Sequence, residues 1–286
     1  MSVRLVITDA MWDRIKPLMP ADPVHGRRWA DHRRTLEAIV WKYRTGSPWR
    51  DLPKELGSFQ TGHERLLRWA VDGTWERILA AVPASADADA DICWTVSVDS
   101  TVCRAHQHAA RARRRGAPDR AEPDDHALGR SRGGLSTKVH LASDSHARPL
   151  TLRVTAGQAG DAPAFEAVMA GIRVPRSGPG RARTRPDTVL ADRAYSSRAI
   201  RKHLRQRGIR AVIPQPSDQI GHCRRRGRLG GRPPAFDAEA YEQRNAVERY
   251  ISRLKQWRGP AMRTDKLAIA YGAALYLAAI LIWVRA

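Results

Sequence analysis

Two acidic residues that follow short apolar runs are the first candidates for chemistry in this sequence. Asp99 comes directly after the apolar run 95–98, and Asp192 comes directly after the apolar run 188–191. Carboxylates at the ends of strands are fixed by a rigid scaffold and supply the oxygen ligands that Mg²⁺ prefers. The chain has 29 acidic residues, so coincidence explains either position as readily as function does.

A helix predicted over residues 238–257 supplies a third acid and several possible phosphate contacts. At about 100° per residue, Tyr241, Arg244, Glu248 and Lys255 fall within roughly 60° of one another on one helix face. The apolar residues of the same helix fall on the adjoining face, so Glu248 is expected at the edge between core and solvent. An ordinary amphipathic helix with an Arg244–Glu248 pair explains this pattern equally well.

Three carboxylates beside basic residues suit the cleavage and joining of phosphodiester bonds. Two hard cations held about 3.5–4 Å apart stabilise both the attacking and the leaving oxygen. The chain carries 50 lysines and arginines against 29 acids, a net charge of +21, which indicates a polyanionic partner. Nucleic acid is the first interpretation of this charge and a membrane surface is the second.

The elements that must position these residues begin with an all-helical region, expected over residues 1–82. A short helix over 49–56, a glycine turn and a helix over 59–71 give the outline of a helix-turn-helix. The second helix is expected either to contact DNA or simply to pack. Its candidate DNA contacts are Gln60, Thr61, His63, Arg65 and Arg68.

The second region, expected over residues 93–286, follows a predicted linker at 83–92. Three consecutive strands, alternating helices and strands, and terminal helices predict a ribonuclease-H-like α/β domain with a mixed sheet and flanking helices. Two arginine-rich segments, 104–136 and 217–234, are expected to be loops that pack no core and become ordered on phosphate. A solvated charge run is the alternative for both segments.

Compartment and membrane signals are weak. The three cysteines are scattered, which supports neither a zinc ribbon nor a disulfide framework and suggests a reducing compartment. Residues 1–9 contain no long apolar run and are not predicted to be a signal peptide. Residues 267–284 carry no charge, so they are predicted to be a buried core helix, with a membrane span as the alternative.

The spacing Tyr241-x2-Arg244-x3-Glu248-x6-Lys255 resembles the signature of insertion-sequence transposases of the IS-four and IS-five groups. The residues around Asp99 and Asp192 are similar to those around the two aspartates of that family. Further stretches that resemble the IS-five group occur in the expected order at 8–12, 44–53, 129–140 and 157–161. The resemblance covers the chain from about residue 7 to residue 284.

The resemblance implies a two-metal nuclease and strand transferase on a ribonuclease-H-like fold. Asp99, Asp192 and Glu248 are then expected to bind Mg²⁺ or Mn²⁺, as two ions. One of the two metal ions is expected to activate the water that cuts the DNA and releases a 3′-hydroxyl at the element end. That hydroxyl would then attack target DNA.

The resemblance also assigns partners. Tyr241, Arg244 and Lys255 are expected to position DNA or its phosphates, and the N-terminal helices to read terminal inverted repeats. The expected partner is double-stranded DNA of the element ends and the target, bound by a dimer or higher oligomer. We expect a cytoplasmic, nucleoid-associated protein without stable membrane association.

One departure from the family and two other functional classes bear on this interpretation. A bulkier pair than Gly62-His63 is expected in the recognition helix, and Gly62 costs about 1 kcal/mol of helix stability relative to alanine. The start of that helix is therefore in doubt. A catalytically inactive DNA-binding relic or repressor is the first alternative. A basic protein anchored to a membrane by residues 267–284 is the second.

Overall fold

Short amphipathic helices build the N-terminal region. The computed structural model describes residues 4–22, 28–88, 91–112 and 122–285. Thr8 and Asp31 cap the first two helices, since their side chains accept hydrogen bonds from the backbone N–H groups of Met11 and Arg34. The helices of this region are α1 (Asp9–Ile15), α2 (His32–Thr45), α3 (Phe59–Val71), α4 (Thr74–Ala81) and α5 (Pro83–Ala88).

The predicted short helix over 49–56 is wrong in detail. Two 3-10 turns, Trp49–Asp51 and Lys54–Leu56, take its place. Pro53 separates them, because proline has no backbone N–H to donate and disfavours a helical conformation in the residue before it. The element preceding α3 is therefore not a regular helix.

The doubt about the start of α3 is resolved by its cap and by the packing of Gly62. Helix α3 begins at Phe59, where Ser58 Oγ accepts a hydrogen bond from the N–H of Gln60. Gly62 is buried against Trp49, and a Cβ atom at this position would lie 3.1 Å from the indole ring. A small residue here lets Trp49 pack directly on the helix.

Residues 83–92, predicted as a linker, are partly helical. Residues 83–88 form α5, and the Trp94 indole N–H donates to the carboxylate of Asp87 at 3.0 Å. One large hydrophobic cluster runs from Ile7 through both regions to Val284, beside a small cluster of Ala38, Leu52 and Leu56 in the helical region. The predicted boundary therefore divides the helical region from the region of the sheet, but the large core is shared by both regions.

A seven-stranded mixed sheet forms the second region. Strand β1 pairs antiparallel with β3, and β3 pairs antiparallel with β4, whereas β1 pairs parallel with β5 and β5 with β6. This order and orientation confirm the predicted ribonuclease-H-like mixed sheet. The strands are β1 (Thr95–Ala105), β2 (Gly129–Ser131), β3 (Gly134–Ser143), β4 (Pro149–Ala156), β5 (Thr188–Ala191), β6 (Arg210–Val212) and β7 (Met262–Arg263).

Helices cover both faces of this sheet. Successive residues of β1 point to opposite faces, so Ser100 faces α7 while Asp99 faces the side of α11. The remaining helices are α6 (Gln107–Ala110), α7 (Asp161–Gly171), α8 (Arg198–Gln206), α9 (Ser217–Arg225), α10 (Ala238–Glu242), α11 (Asn245–Lys255), α12 (Arg258–Ala261) and α13 (Ala268–Arg285).

The segment 104–136 is not the unpacked loop that was predicted. Its ends belong to β1 and β3, and it contains α6 and β2; the arginines at 113, 114, 115 and 120 lie outside the described residues. The buried carboxylate of Glu122 accepts hydrogen bonds from the N–H groups of Ala268 at 2.7 Å and Ile269 at 2.9 Å. Glu122 thereby satisfies the free N–H groups at the start of a buried helix, which composition alone does not reveal.

The segment 217–234 is partly helical. It forms α9 and a 3-10 turn over Gly227–Gly230, contrary to the prediction of a loop. Helix α9 has no buried residue, and Leu229 is 87% exposed. This segment adds nothing to the core, as expected for it.

The charge-free segment near the C-terminus forms α13, a helix of the core. Among the described residues it is the one helix long and apolar enough to span a membrane, and 78% of its 18-residue window is buried inside the protein. Helix α13 packs against α1, α2, α3, α4 and β4. Packing therefore favours the core-helix interpretation.

Candidate active site

The register between β1 and β5 places the two aspartates side by side. Val98 pairs with Ala191, so Asp99 and Asp192 are the next residues of two neighbouring parallel strands. Asp99 lies within β1 rather than at its end, because β1 continues to Ala105 along β3 after β5 has ended. The prediction that Asp99 ends a strand is therefore wrong, although the parallel pairing does end there.

Asp99 is held by a backbone donor and a charged donor. The N–H of Ser100 donates to Asp99 Oδ1 at 2.8 Å, and Arg244 Nη2 donates to Asp99 Oδ2 at 2.9 Å. Burial raises the pKa of Asp99, and the charges of Asp192 and Glu248 act in the same direction. The Ser100 N–H and the Arg244 charge oppose this shift. Negative charge is thus concentrated at this point.

Asp192 has a local role in addition to its place beside Asp99. Its Oδ1 accepts a hydrogen bond from the N–H of Ala194 at 2.9 Å and caps the 3-10 turn Arg193–Tyr195. A cap of this kind fixes the direction of the carboxylate. The second aspartate is therefore positioned by the turn that follows β5.

The predicted helix over 238–257 is interrupted next to the signature arginine. It divides into α10 and α11, and Arg244 immediately precedes α11. The N–H of Arg244 donates to the carbonyl of Tyr241, and the N–H of Ala246 donates to that of Gln243, so the chain tightens to i→i+3 bonding. Residues 241–244 form a tighter turn than the α-helix assumed in the prediction.

Arg244 bridges the first and third acids. Besides Asp99, it donates through Nη1 to Glu248 Oε1 at 2.6 Å. The expected i,i+4 pair is therefore present, but it is part of a larger arrangement. Glu248 is 55% exposed, whereas Arg244 and Asp99 are 16% and 17% exposed. Burial lowers the pKa of Arg244, but the bond to Glu248 and the charge of Asp99 outweigh it and raise that pKa overall.

The other two signature residues differ in their distance from the acids. The Tyr241 ring lies 6.0 Å from the Arg244 guanidinium carbon, and burial and the nearby acids raise its pKa despite the opposing charge of Arg244. Lys255 is exposed at the far end of α11, two helical turns beyond Glu248 or about 10 Å. Tyr241 therefore borders the acids directly, and Lys255 extends a positive surface away from them.

The candidate DNA contacts of the N-terminal region lie apart from this site. None of the five side chains forms a hydrogen bond or ion pair with the three acids. Gln60, His63 and Arg68 are exposed, and Thr61 is half-buried. The Arg65 guanidinium carbon lies 3.2 Å from the centre of the Trp29 ring, and Arg65 is therefore stacked rather than extended into solvent.

The donor set fits a hard cation. Among the described residues, no three acid, histidine or cysteine side chains are close enough, as placed, to enclose a metal ion. The guanidinium of Arg244 lies between two carboxylates that would otherwise repel each other, and buried Arg244 Nε has no hydrogen-bond partner. The site therefore attracts positive charge and offers only oxygen ligands, as Mg²⁺ and Mn²⁺ prefer.

A second group of polar residues behind the aspartates was not assigned by the sequence interpretation. It contains Ser100, Lys138, Asp161 and Tyr195. Asp161 closes a stretch recognised only as resembling the family. Ser100 and Lys138 point to the same sheet face, a relation that depends on the β1–β3 register and is not available from one sequence.

Two family descriptions match the chain. "Putative transposase of IS4/5 family" matches residues 7–79, and "Transposase DDE domain" matches residues 94–283, well over half of the chain. The two matches correspond to the helical region and to the region of the sheet.

Several curated bacterial proteins are similar to parts of this chain. Uncharacterized protein y4sN of Sinorhizobium fredii is 38% identical over 110 residues, 38% of this chain and 83% of its own length. The putative transposase for insertion sequence element IS6501 of Brucella ovis is 27% identical over 151 residues, 53% of this chain and 100% of its own length. An uncharacterized 16.2 kDa protein of insertion element IS402 of Burkholderia cepacia is 34% identical over 108 residues, 35% of this chain and 74% of its own length.

Among solved structures, the Mos1 transposase paired-end complex with left transposon end is 13% identical to this chain. The alignment covers 81% of this chain and 80% of that one, with a TM-score of 0.25. A TM-score this low gives no support to any conclusion about the fold or the site.

Proposed function

Because the chain belongs to the transposase DDE-domain family, we propose that it binds the terminal inverted repeats of its insertion sequence and catalyses metal-dependent cleavage and strand transfer of DNA. One observation carries this proposal. Asp99 lies beside Asp192 and shares Arg244 with Glu248, and both of these acids act on the charge of Asp99. Three carboxylates that interact in this way, two on a rigid sheet and one on the adjacent helix α11, suit phosphoryl chemistry.

Asp99, Asp192 and Glu248 would hold the divalent metal, Mg²⁺ or Mn²⁺, as two ions. When bound, such ions supply an activated water and stabilise charge on the attacking and leaving oxygens. Asp99 offers a half-buried, fixed carboxylate, and the more exposed Glu248 offers a side chain that can adjust. For Asp99 and Glu248 both to bind metal, Arg244 must break its hydrogen bond to at least one of them.

The basic and aromatic residues of the site would orient the DNA backbone. The planar guanidinium of Arg244 suits a phosphate through two parallel hydrogen bonds, and its Nε has no other partner. Tyr241 would pack beside that phosphate, since it borders Arg244. Lys255, about two turns away, would contact the backbone further along the duplex.

DNA recognition away from the acids would involve α3 and the exposed arginines. The exposed side chains of Gln60, His63 and Arg68 face solvent along α3, whereas stacked Arg65 would support Trp29. We propose that two element ends are brought together by a dimer or higher oligomer on DNA. We propose further that the protein works in the cytoplasm, at the nucleoid. The burial of α13 in the core supports action without stable membrane association.

The test is cleavage and joining of labelled DNA that carries the ends flanking the gene, with Mg²⁺ or Mn²⁺. Glu248→Gln removes a charged ligand with little change in shape and is expected to bind DNA normally but to cut at least about 100-fold more slowly. Glu242→Gln is the matched control, because Glu242 is an exposed acid on neighbouring α10. The control is expected to cut like the wild type.

Each result has a distinct meaning. If wild type and control cut while Glu248→Gln only binds, the acid-triad mechanism stands. If Glu248→Gln cuts as fast as the wild type, the assignment of Glu248 is wrong. If all three proteins bind the ends and none cuts with either metal, the chain is a DNA-binding relic or repressor.

A further inference from the structure

Asp161 is the point at which three elements of the fold meet. Its Oδ1 accepts hydrogen bonds from Ser100 Oγ at 2.6 Å and from Lys138 Nζ at 3.1 Å, and His140 Nδ1 lies 3.7 Å away. Ser100 belongs to β1, Lys138 and His140 belong to β3, and Asp161 is the first residue of α7. One carboxylate therefore ties the helix to the two strands at the level of the active site.

Tyr195 extends this connection to the second aspartate. Tyr195 is buried near Ser100, Asp161, Asp99 and Asp192, and the charges of these three acids add to burial in raising its pKa. Tyr195 ends the 3-10 turn that Asp192 caps. Ser100 directly follows Asp99 in β1. The two segments that carry the aspartates thus come together near the Ser100 hydroxyl group, which Asp161 holds in place.

The surroundings of Asp161 make it a rigid support. The Asp161 side chain is 24% exposed and that of Lys138 is 14% exposed. Burial lowers the pKa of His140 to about 4, so His140 is neutral at pH 7 and Lys138 is the cation of the group. The Ser100 bond and the Lys138 ion pair fix the carboxylate on a face of the sheet opposite to Glu248. Residues that bond to a metal ligand, without binding the metal themselves, orient that ligand.

We propose that Asp161 is a positioning residue, which acts through Ser100 and Tyr195 to hold Asp99 and Asp192 in the geometry for cleavage. Asp161 itself contacts neither DNA nor metal. This inference rests on the proposed function, since it concerns the same acids. It adds a residue that supports Asp99 and Asp192 from the opposite face of the sheet.

The first measurement is single-turnover nicking of pre-bound, labelled element-end DNA by four variants. Asp161→Asn and Ser100→Ala are expected to nick about 10–100-fold more slowly, as is typical for the loss of an outer partner. Ser100→Thr keeps the hydroxyl and is expected to nick nearly as fast as the wild type. Glu166→Gln is the matched control, because it removes one exposed acid from the same helix α7.

Two further results distinguish a positioning role of Asp161 from a general loss of folding or of DNA binding. DNA affinity of all four variants is expected to match the wild type. The Asp161→Asn/Ser100→Ala double variant is expected to be no slower than the slower single variant, because both changes break the same connection.

A measurement without catalysis is the Mg²⁺-dependent rise of the melting temperature in the absence of DNA. A ligand that binds only the folded state stabilises it by RT ln(1 + L/Kd), where L is the ligand concentration, so Tm starts to rise when this concentration approaches Kd. The Mg²⁺ concentration at which Tm starts to rise is expected to increase about tenfold in Asp161→Asn and Ser100→Ala and to stay unchanged in Glu166→Gln. A residue that merely stabilises the fold would lower Tm without moving this concentration.

The proposal is overturned if Asp161→Asn and Ser100→Ala nick at the wild-type rate, or if Ser100→Thr is as slow as Ser100→Ala. It is also overturned if the Tm of both slow variants starts to rise at the same Mg²⁺ concentration as that of the wild type. Failure of the proposed function has a different signature. Wild type and Glu166→Gln would then fail to nick, while the Mg²⁺ titration of Tm would still distinguish Asp161→Asn from wild type if Asp161 positions the aspartates.

Discussion

The segments 104–136 and 217–234 share a high content of arginine and glycine but have different relations to the core. The first contributes strands to the sheet and places the Glu122 carboxylate, with 0% side-chain exposure, at the start of α13. The second forms α9, none of whose residues is buried, and exposes Leu229.

The difference shows that arginine content does not decide whether a segment packs. In the first segment the decisive residues are a few that are not basic, above all Glu122 and Ala127. The carbonyl of Ala127 accepts hydrogen bonds from Thr137 and from buried Arg263. In the second segment no residue is buried.

The largest expected effect is that of Glu122→Gln. The amide keeps the shape but loses the charge, and its NH2 group would face one of the two helix N–H groups that need acceptors. We expect a loss of about 2–3 kcal/mol in the free energy of unfolding, measured by urea denaturation. Asp218→Asn, the matched change in exposed α9, is expected to cost less than about 0.5 kcal/mol. Equal losses in both variants would remove the distinction between the two segments.

A smaller effect is expected when Arg224, Arg225 and Arg228 are all changed to glutamine. These exposed side chains are free to reach phosphates, so we expect about tenfold weaker DNA binding near physiological salt. The slope of log K against log salt concentration should fall by about 0.9 for each lost phosphate contact. Stability should stay within about 0.5 kcal/mol of wild type.

The same measurement after changing Arg104, Arg130 and Arg132 to glutamine tests whether the first segment also contacts DNA. These arginines are also exposed. If their loss reduces the salt slope as much as the loss of the α9 arginines, both segments contact DNA despite their different packing. If the α9 variant leaves the slope unchanged, its charge is merely solvated.

The smallest effect is expected for Leu229→Ser. Leu229 is 87% exposed, so removing its side chain should change the free energy of unfolding by less than about 0.5 kcal/mol. Urea denaturation measures this change. A loss above about 1 kcal/mol would mean that the second segment packs on the core more closely than its exposure indicates.

Local patterns in the sequence were sufficient to predict most elements. Apolar runs located β5 with its observed bounds, and the helix predicted over 59–71 has the observed bounds of α3. The helix face carrying Arg244 and Glu248 was correctly predicted to lie beside a buried apolar stripe. These features depend on residues that are close in the chain.

Features that depend on distant partners were not predictable. The backbone groups that bond Glu122 lie 146 and 147 residues away. The Ser100–Asp161 contact needs a known strand register and the position of α7, and the interruption before α11 leaves the hydrophobic spacing unchanged. The roles of Asp99, Asp192 and Glu248 remain predictions that the cleavage experiment tests.

The position of α13 has a consequence for how the protein is made. Helix α13 packs on α3 and α4 as well as on β4, so the N-terminal helices cannot bury their apolar faces fully until residues 268–285 have been synthesised. A nascent chain would therefore expose the faces of α3 and α4 that α13 covers for most of translation, and folding would be limited by contacts between distant parts of the chain. Chaperone capture and degradation of incomplete chains would accordingly help to set how much active protein a cell contains.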